Sequence, residues 1–265
     1  MKRLLTAAIA VPLSLLAIFR LDAPWFFAVC ALTIGWASYE FAGIARTWAG
    51  SRPMIVLPPI ALALAALMSF ARLNDGSAAL IAVGGILSVG LGSFILLSKT
   101  PLAEAPAALG TLTFGALYFA VPIASLVHLQ RQDPWLVGVL VAIVWLGDTA
   151  ALIVGSTWGR RRLAPTVSPK KTWEGAVAGF AIGLAAAAIW SQVRLDRLEP
   201  SWLLLGAATA IAAQLGDLVE SIFKRSSGIK DSGRILPGHG GALDRADALL
   251  FAAPVFWFGW RLLAP

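Results

Sequence analysis

Residues 134–155 read PWLVGVLVAIVWLGDTAALIVG, a run of apolar side chains broken by one formal charge, Asp148. A bilayer with a hydrocarbon core of roughly 30 Å asks for about 20 such residues in a helix. Similar runs lie on both sides of it, near residues 4–20, 24–45, 54–71, 77–97, 106–127, 173–191, 201–222 and 246–263. Of the 265 residues, 58% are hydrophobic and 13% charged, whereas a soluble domain carries about 25% charged residues. Too few charges remain to coat a water-facing surface. The expected fold class is therefore all-α: a polytopic integral membrane protein of about nine transmembrane helices.

The first run follows Met1, Lys2 and Arg3, as a secretory signal would. No convincing small-x-small cleavage site follows Phe19, and Arg20, Leu21 and Asp22 lead straight into the next run, so a retained first helix is expected. With the N-terminus placed in the cytoplasm and nine crossings, 15 of the 21 basic residues fall on the cytoplasmic side and 6 on the other. That asymmetry follows the positive-inside rule. It also accounts for the net charge of +7 without a nucleic-acid partner. The single cysteine, Cys30, excludes an intramolecular disulfide, and two histidines with one cysteine argue against a structural zinc site. Gly175, Gly179 and Gly183 repeat every fourth residue, as do Gly84, Ser88 and Gly92. Such faces let helices approach closely in lipid, within the chain or between subunits.

Ionisable residues inside apolar spans are costly and mark polar cavities or pathways. Asp148 lies in the sixth span. Asp217 and Glu220 lie near the end of the eighth, where Gln214, Asp217, Glu220, Ser221 and Lys224 share one helical face. The alternative is that these acids only pair with basic residues to hold helices together, a reading that weighs most for Glu220. Glu40, in the second span, is expected to be structural or indirect in its role.

Two polar segments on the cytoplasmic side add to this. Ser168, Lys170 and Lys171, within SPKKTWE before the seventh span, offer a hydroxyl and cations to a phosphate, but read equally well as an ordinary basic flank. The segment after the eighth span is more specific: Ser221, Lys224 and Arg225, then Lys230 and Asp231, then Gly238, His239, Gly240 and Gly241, then Asp244, Arg245 and Asp247. Its cations suit phosphates. Asp231, Asp244 and Asp247 are hard oxygen donors of the kind Mg²⁺ takes together with substrate phosphate. No Gly-x-x-x-x-Gly-Lys-Ser/Thr loop occurs, so a P-loop nucleotidase is excluded.

Ser-x-x-Lys-Arg, Lys-Asp, His-Gly-Gly and Asp-Arg-x-Asp, in this order from Ser221 to Asp247, resemble the signature of the phosphatidate cytidylyltransferase family. Ala242 and Ala246 depart mildly from it, standing where larger apolar residues are expected. Gly147 with Asp148, Ser168 to Glu174, and Gly216 with Asp217 are also similar to the family. The resemblance covers the C-terminal half, so residues 131–265 are expected to form the catalytic region and residues 1–130 a scaffold with dimer contacts. It implies transfer of CMP from CTP to phosphatidic acid, releasing pyrophosphate. It further implies Mg²⁺ with a monovalent cation such as K⁺ beside it, a homodimer, and an active site at the cytoplasmic interface of a bacterial inner membrane. On that basis Asp217 and Asp244 are the leading metal ligands, with Asp148, Asp231 and Asp247 behind them. Lys224, Arg225 and Lys230 take phosphate charge, Ser168, Lys170 and Lys171 close the site, and Ser221, Gly240, Gly241 and Arg245 complete it. His239 serves as a pyrophosphate contact or loop organiser. Two other readings stay open: a CTP-dependent lipid kinase, and a cation-coupled transporter with Asp148 and Asp217 as ion sites.

Overall fold

The computed structural model describes residues 2–70, 87, 89–233 and 240–263. Its helices are α1 (Lys2–Arg20), α2 (Ala23–Ala49), the single turn α3 (Ser51–Met54), α4 (Leu57–Phe70), α5 (Ala105–Gln132), α6 (Pro134–Thr157), α7 (Trp173–Leu195), α8 (Pro200–Ser226) and α9 (Leu243–Leu263). Residues 89–97 are helical as well. Among the described residues, seven helical segments are long and apolar enough to cross a membrane: α2, α3 with α4, and α5 to α9. They coincide with the second, third and fifth to ninth expected spans. The first span is the helix α1. The fourth lies largely outside the described residues, as do Gly84 and Ser88.

Local chemistry sets where these helices begin. Proline opens α6 and α8 at a position whose N–H has no helical partner anyway. Asp133 caps α6 by accepting from the Trp135 amide at 3.0 Å, and Thr172 caps α7 by accepting from the Gly175 amide at 3.1 Å. Each cap satisfies an otherwise orphaned helical donor.

The most enclosed helix is α5, with 72% of its apolar window buried against 44% or less for the other spans. It packs on α2, α4, α6 and α9. Phe41 of α2, Phe114 and Phe119 of α5 and Phe223 of α8 meet there in tilted and edge-on ring contacts, the geometry aromatic quadrupoles favour.

The glycine face of α7 packs inside the chain, against α6. A Cβ added at Gly179 would lie 2.8 Å from the Gly147 carbonyl oxygen and 3.1 Å from the Ala151 Cβ. The small-residue spacing therefore reports an intramolecular helix contact.

The ends of the helices sort onto two rims. At one, Thr47 bonds Ser227 at 2.9 Å, the Trp48 indole donates to Thr111 at 3.1 Å, and the Arg225 guanidinium donates to the Val167 carbonyl at 3.2 Å. At the other, Gln130 donates to the Leu21 carbonyl at 2.7 Å and Arg194 pairs with Asp133 at 2.7 Å. This sorting is what alternating crossings require.

The chain between α6 and α7 adds one element to the all-α expectation. Strands β1 (Arg162–Ala164) and β2 (Ser168–Thr172) form an antiparallel hairpin. The Glu174 carboxylate fastens its base by accepting from the Arg160 and Arg161 amides at 3.1 and 3.2 Å.

Candidate active site

The polar stripe of α8 faces the protein, and its partners come from α7, the hairpin and α9. Gln214 donates its amide to the Ala176 carbonyl at 3.0 Å. One turn on, Asp217 meets Lys171 of β2 at 2.5 Å, both half-buried. Glu220 is fully buried and pairs with Lys224 one turn further along. Lys224, itself 9% exposed, donates to Asp244 Oδ1 of α9 at 2.6 Å.

The second wall is α9, and a glycine sets how close it comes. A Cβ at Gly216 would lie 2.5 Å from the Asp247 carbonyl oxygen and 3.1 Å from the Phe251 Cβ. The absent side chain brings Asp247 up beside Asp217. Carboxylate oxygens of Asp217, Glu220 and Asp247 then lie within 4.8 Å of one another. Asp148 of α6 stands within electrostatic reach of Asp217, Lys171 and Arg245. Gly147 precedes Asp148 as Gly216 precedes Asp217, so each of these intramembrane acids follows the glycine that lets its helix approach a neighbour.

The acids differ in what surrounds them. Both oxygens of Glu220 are buried and, among the described residues, accept no hydrogen bond of sound geometry. Asp244 is the opposite case. Its Oδ2 accepts from the Gly241 amide at 2.7 Å and from the Ser232 amide at 3.0 Å. With Lys224 on Oδ1, the Asp244 carboxylate is well supplied with donors, and it ties Ser232 and Gly241 to α8.

The remaining expected residues fall into three groups. Lys171, Lys224, Asp217, Asp247 and Asp148 converge, and the exposed Arg245 lies beside them. Ser221 is buried in α8 next to Glu220. Others stand apart: in β2 it is Lys171 that reaches Asp217, while Lys170 is exposed and Ser168 half-buried. Arg225 donates to two carbonyls, of Val167 and Ile229, and links the hairpin to the loop. Lys230 and Asp231 are exposed on the loop. Gly240 and Gly241 lead into α9, and His239 lies outside the described residues.

Two participants carry little signal in the sequence. Glu220 reads there as the acid for which a purely pairing role weighs most, and it is the most buried of the group. Ser232 lies in a loop with nothing to single it out, and bonds both Asp244 and, through its hydroxyl at 2.8 Å, the distant Glu40.

Fold and site together define an α-helical integral membrane protein with a lysine-flanked acidic site at one rim of its helix bundle. The chain belongs to the cytidylyltransferase family, whose profile matches residues 1–263. It is 34% identical over 267 residues to a phosphatidate cytidylyltransferase of Pseudomonas aeruginosa, covering 96% of this chain and 94% of that protein. It is 39% identical over 165 residues to one of Haemophilus influenzae, covering 60% of this chain and 57% of that protein. A third similar protein of that name, from Bacillus subtilis, is 39% identical over 153 residues, or 56% of this chain and 57% of the relative.

Proposed function

We propose that this protein is a phosphatidate cytidylyltransferase, which transfers CMP from CTP to phosphatidic acid and so makes CDP-diacylglycerol and pyrophosphate. The observation that carries this reading is the acidic trio of Asp217, Glu220 and Asp247, flanked by Lys171 and Lys224 at the end of membrane spans. The names of similar proteins support it. The rim position suits a lipid that keeps its acyl chains in the bilayer while its headgroup meets a water-soluble nucleotide. The basic-residue asymmetry supports a cytoplasmic rim, and the bacterial relatives favour an inner membrane. A homodimer is proposed on the family resemblance.

In the reaction, a phosphatidate oxygen attacks the α-phosphorus of CTP in line. The new P–O bond forms as the bridging P–O bond to the β-phosphate breaks, and the electron pair leaves with pyrophosphate. A phosphate monoester is already anionic at neutral pH, so the chain has to position and neutralise charge rather than remove a proton. Lys171, Lys230 and Arg245 are the exposed or half-buried cations suited to phosphate oxygens. Lys224, held between Glu220 and Asp244, fixes the acids in place.

The acids fit a divalent cation such as Mg²⁺. Three carboxylates this close repel one another, and Lys224, which Glu220 shares with Asp244, together with Lys171 on Asp217, leaves part of that buried charge uncompensated. Asp217, Glu220 and Asp247 would hold the ion, with Asp148 nearby. When bound, such an ion polarises phosphate oxygens and neutralises the charge that develops on them. A monovalent ion such as K⁺ beside it is proposed on the resemblance alone.

The test is purified protein in detergent with phosphatidate, Mg²⁺ and CTP labelled at the α-phosphate or at the γ-phosphate. The expected result is α-label in lipid and γ-label in pyrophosphate. Label from the γ-position in lipid would instead make the protein a lipid kinase. No label in lipid from either position would favour ion-coupled transport.

A further inference from the structure

Glu40 belongs to α2, far in sequence from the acids described above. It is 8% exposed. Its Oε2 accepts from the Ser232 hydroxyl at 2.8 Å and from the Leu243 amide at 2.9 Å, a contact across 203 residues of sequence. Leu243 is the first residue of α9, so a carboxylate from another helix caps that N-terminus. The interaction satisfies an orphan amide and suits the positive end of the helix dipole.

Residues 232–233 and 241–243 are shaped around this carboxylate. A Cβ added at Gly233 or at Gly241 would run into the Glu40 side chain in both cases. Ser232, Gly233, Gly241 and Leu243 therefore enclose Glu40 from the two ends of the segment between α8 and α9. The Ser232 hydroxyl also lies 3.0 Å from Asp244 Oδ2. It has one proton for two carboxylates. Asp244 already accepts from two amides and Lys224, so the proton serves Glu40, over the shorter distance. From Asp244 the contacts run through Lys224 to Glu220, a member of the acidic trio.

We infer that Glu40 is a positioning residue for the transfer reaction: through Ser232 and Leu243 it sets the loop that holds Asp244, and through Asp244 it holds Lys224 against Glu220. This rests on the proposed cytidylyl transfer for its kinetic consequence, though not for its geometry. Glu40 touches no reacting atom. Its effect falls on the alignment of the site, where a shift of about 1 Å can cost roughly 100-fold in rate.

The experiment compares Glu40→Ala, Glu40→Gln, Ser232→Ala and the double variant Glu40→Ala with Ser232→Ala. Rates are measured in the CTP–phosphatidate assay, Tm by intrinsic fluorescence, and loop opening by trypsin cleavage at Lys230. Glu40→Ala is expected to lower kcat by about 100-fold with both KM values within about threefold. Glu40→Gln keeps an oxygen for both donors and should recover most of that loss. Ser232→Ala, a milder change outside the spans, should lower kcat about tenfold at unchanged Tm. The double variant should be no worse than Glu40→Ala, because the two residues act in one chain of contacts. Trypsin should cut Glu40→Ala faster than wild type, and Glu40→Gln at the wild-type rate.

Ser232→Ala with wild-type kcat, or losses that multiply in the double variant, would overturn the inference. So would a Glu40→Ala loss confined to Tm and not recovered by glutamine. If wild-type protein moves no label into lipid, the reaction assignment fails while the cleavage comparison still judges the loop: equal cutting of wild type and Glu40→Ala then refutes the role of Glu40.

Discussion

Two groups of acids are joined through Lys224 in this molecule and differ in what surrounds them. Asp244 and Glu40 are well supplied with donors: between them they accept from three backbone amides, a hydroxyl and an ammonium. Asp217, Glu220 and Asp247 crowd together, and the fully buried Glu220 has Lys224 as its one ion-pair partner among the described residues, an ammonium it shares with Asp244. An acid surrounded by donors holds structure, because burying it without them would cost several kcal/mol. An acid beside other acids raises the energy of the fold and persists where a cation offsets it. Asp244 and Asp247, three residues apart on one helix, fall on opposite sides of that division.

The sharpest way to break the contrast is to remove charge from the crowded group. Asp217→Asn or Asp247→Asn should lower kcat by on the order of 10³, while Tm holds or rises because like-charge repulsion is relieved. A large fall in Tm would show that these acids are structural after all.

Next in size is Lys224→Met, which strands Glu220 and Asp244 together. Losing one partner of a buried ion pair costs about 3 kcal/mol or more, so activity and Tm should fall together. If Tm is unchanged, Lys224 does not join the two groups.

Asp244→Asn sharpens the contrast from the well-supplied side. It should lower Tm and reduce kcat by about 10- to 100-fold, while shifting the Mg²⁺ concentration for half-maximal rate at least about tenfold less than Asp217→Asn does. Equal shifts would return Asp244 to the ligand set.

The smallest expected effect lies away from the acids, in the tight contact of α6 with α7. Gly179→Ala forces the helices apart at the Gly147 carbonyl and should cost about 1–2 kcal/mol of stability, read as a modest fall in Tm. A Tm equal to wild type would mean the two helices part there at no cost.

Much of this architecture is legible in the amino-acid sequence. Helix α6 and its neighbours follow from run length, since a bilayer offers no partner for free backbone polar groups and leaves the helix as the local solution. The intramembrane acids stand out for the same reason, and the four-residue glycine spacing of α7 marks a packing face. The β1–β2 hairpin does not stand out: SPKKT is short, polar and without a clear alternating pattern, and its shape depends on Glu174 gripping the Arg160 and Arg161 amides.

The sequence by itself determined that this chain is a helical membrane protein with acids where lipid would reject them, because the cost of burying charge in hydrocarbon is a property of each residue alone. Only the tertiary structure decided which acids are satisfied and which are crowded. That depends on where the loop before α9 returns its amides, on the closeness Gly216 allows to Asp247, and on a glutamate from α2. Periodicity along one helix shows which residues share a face. It carries no information about donors that arrive from 203 residues away.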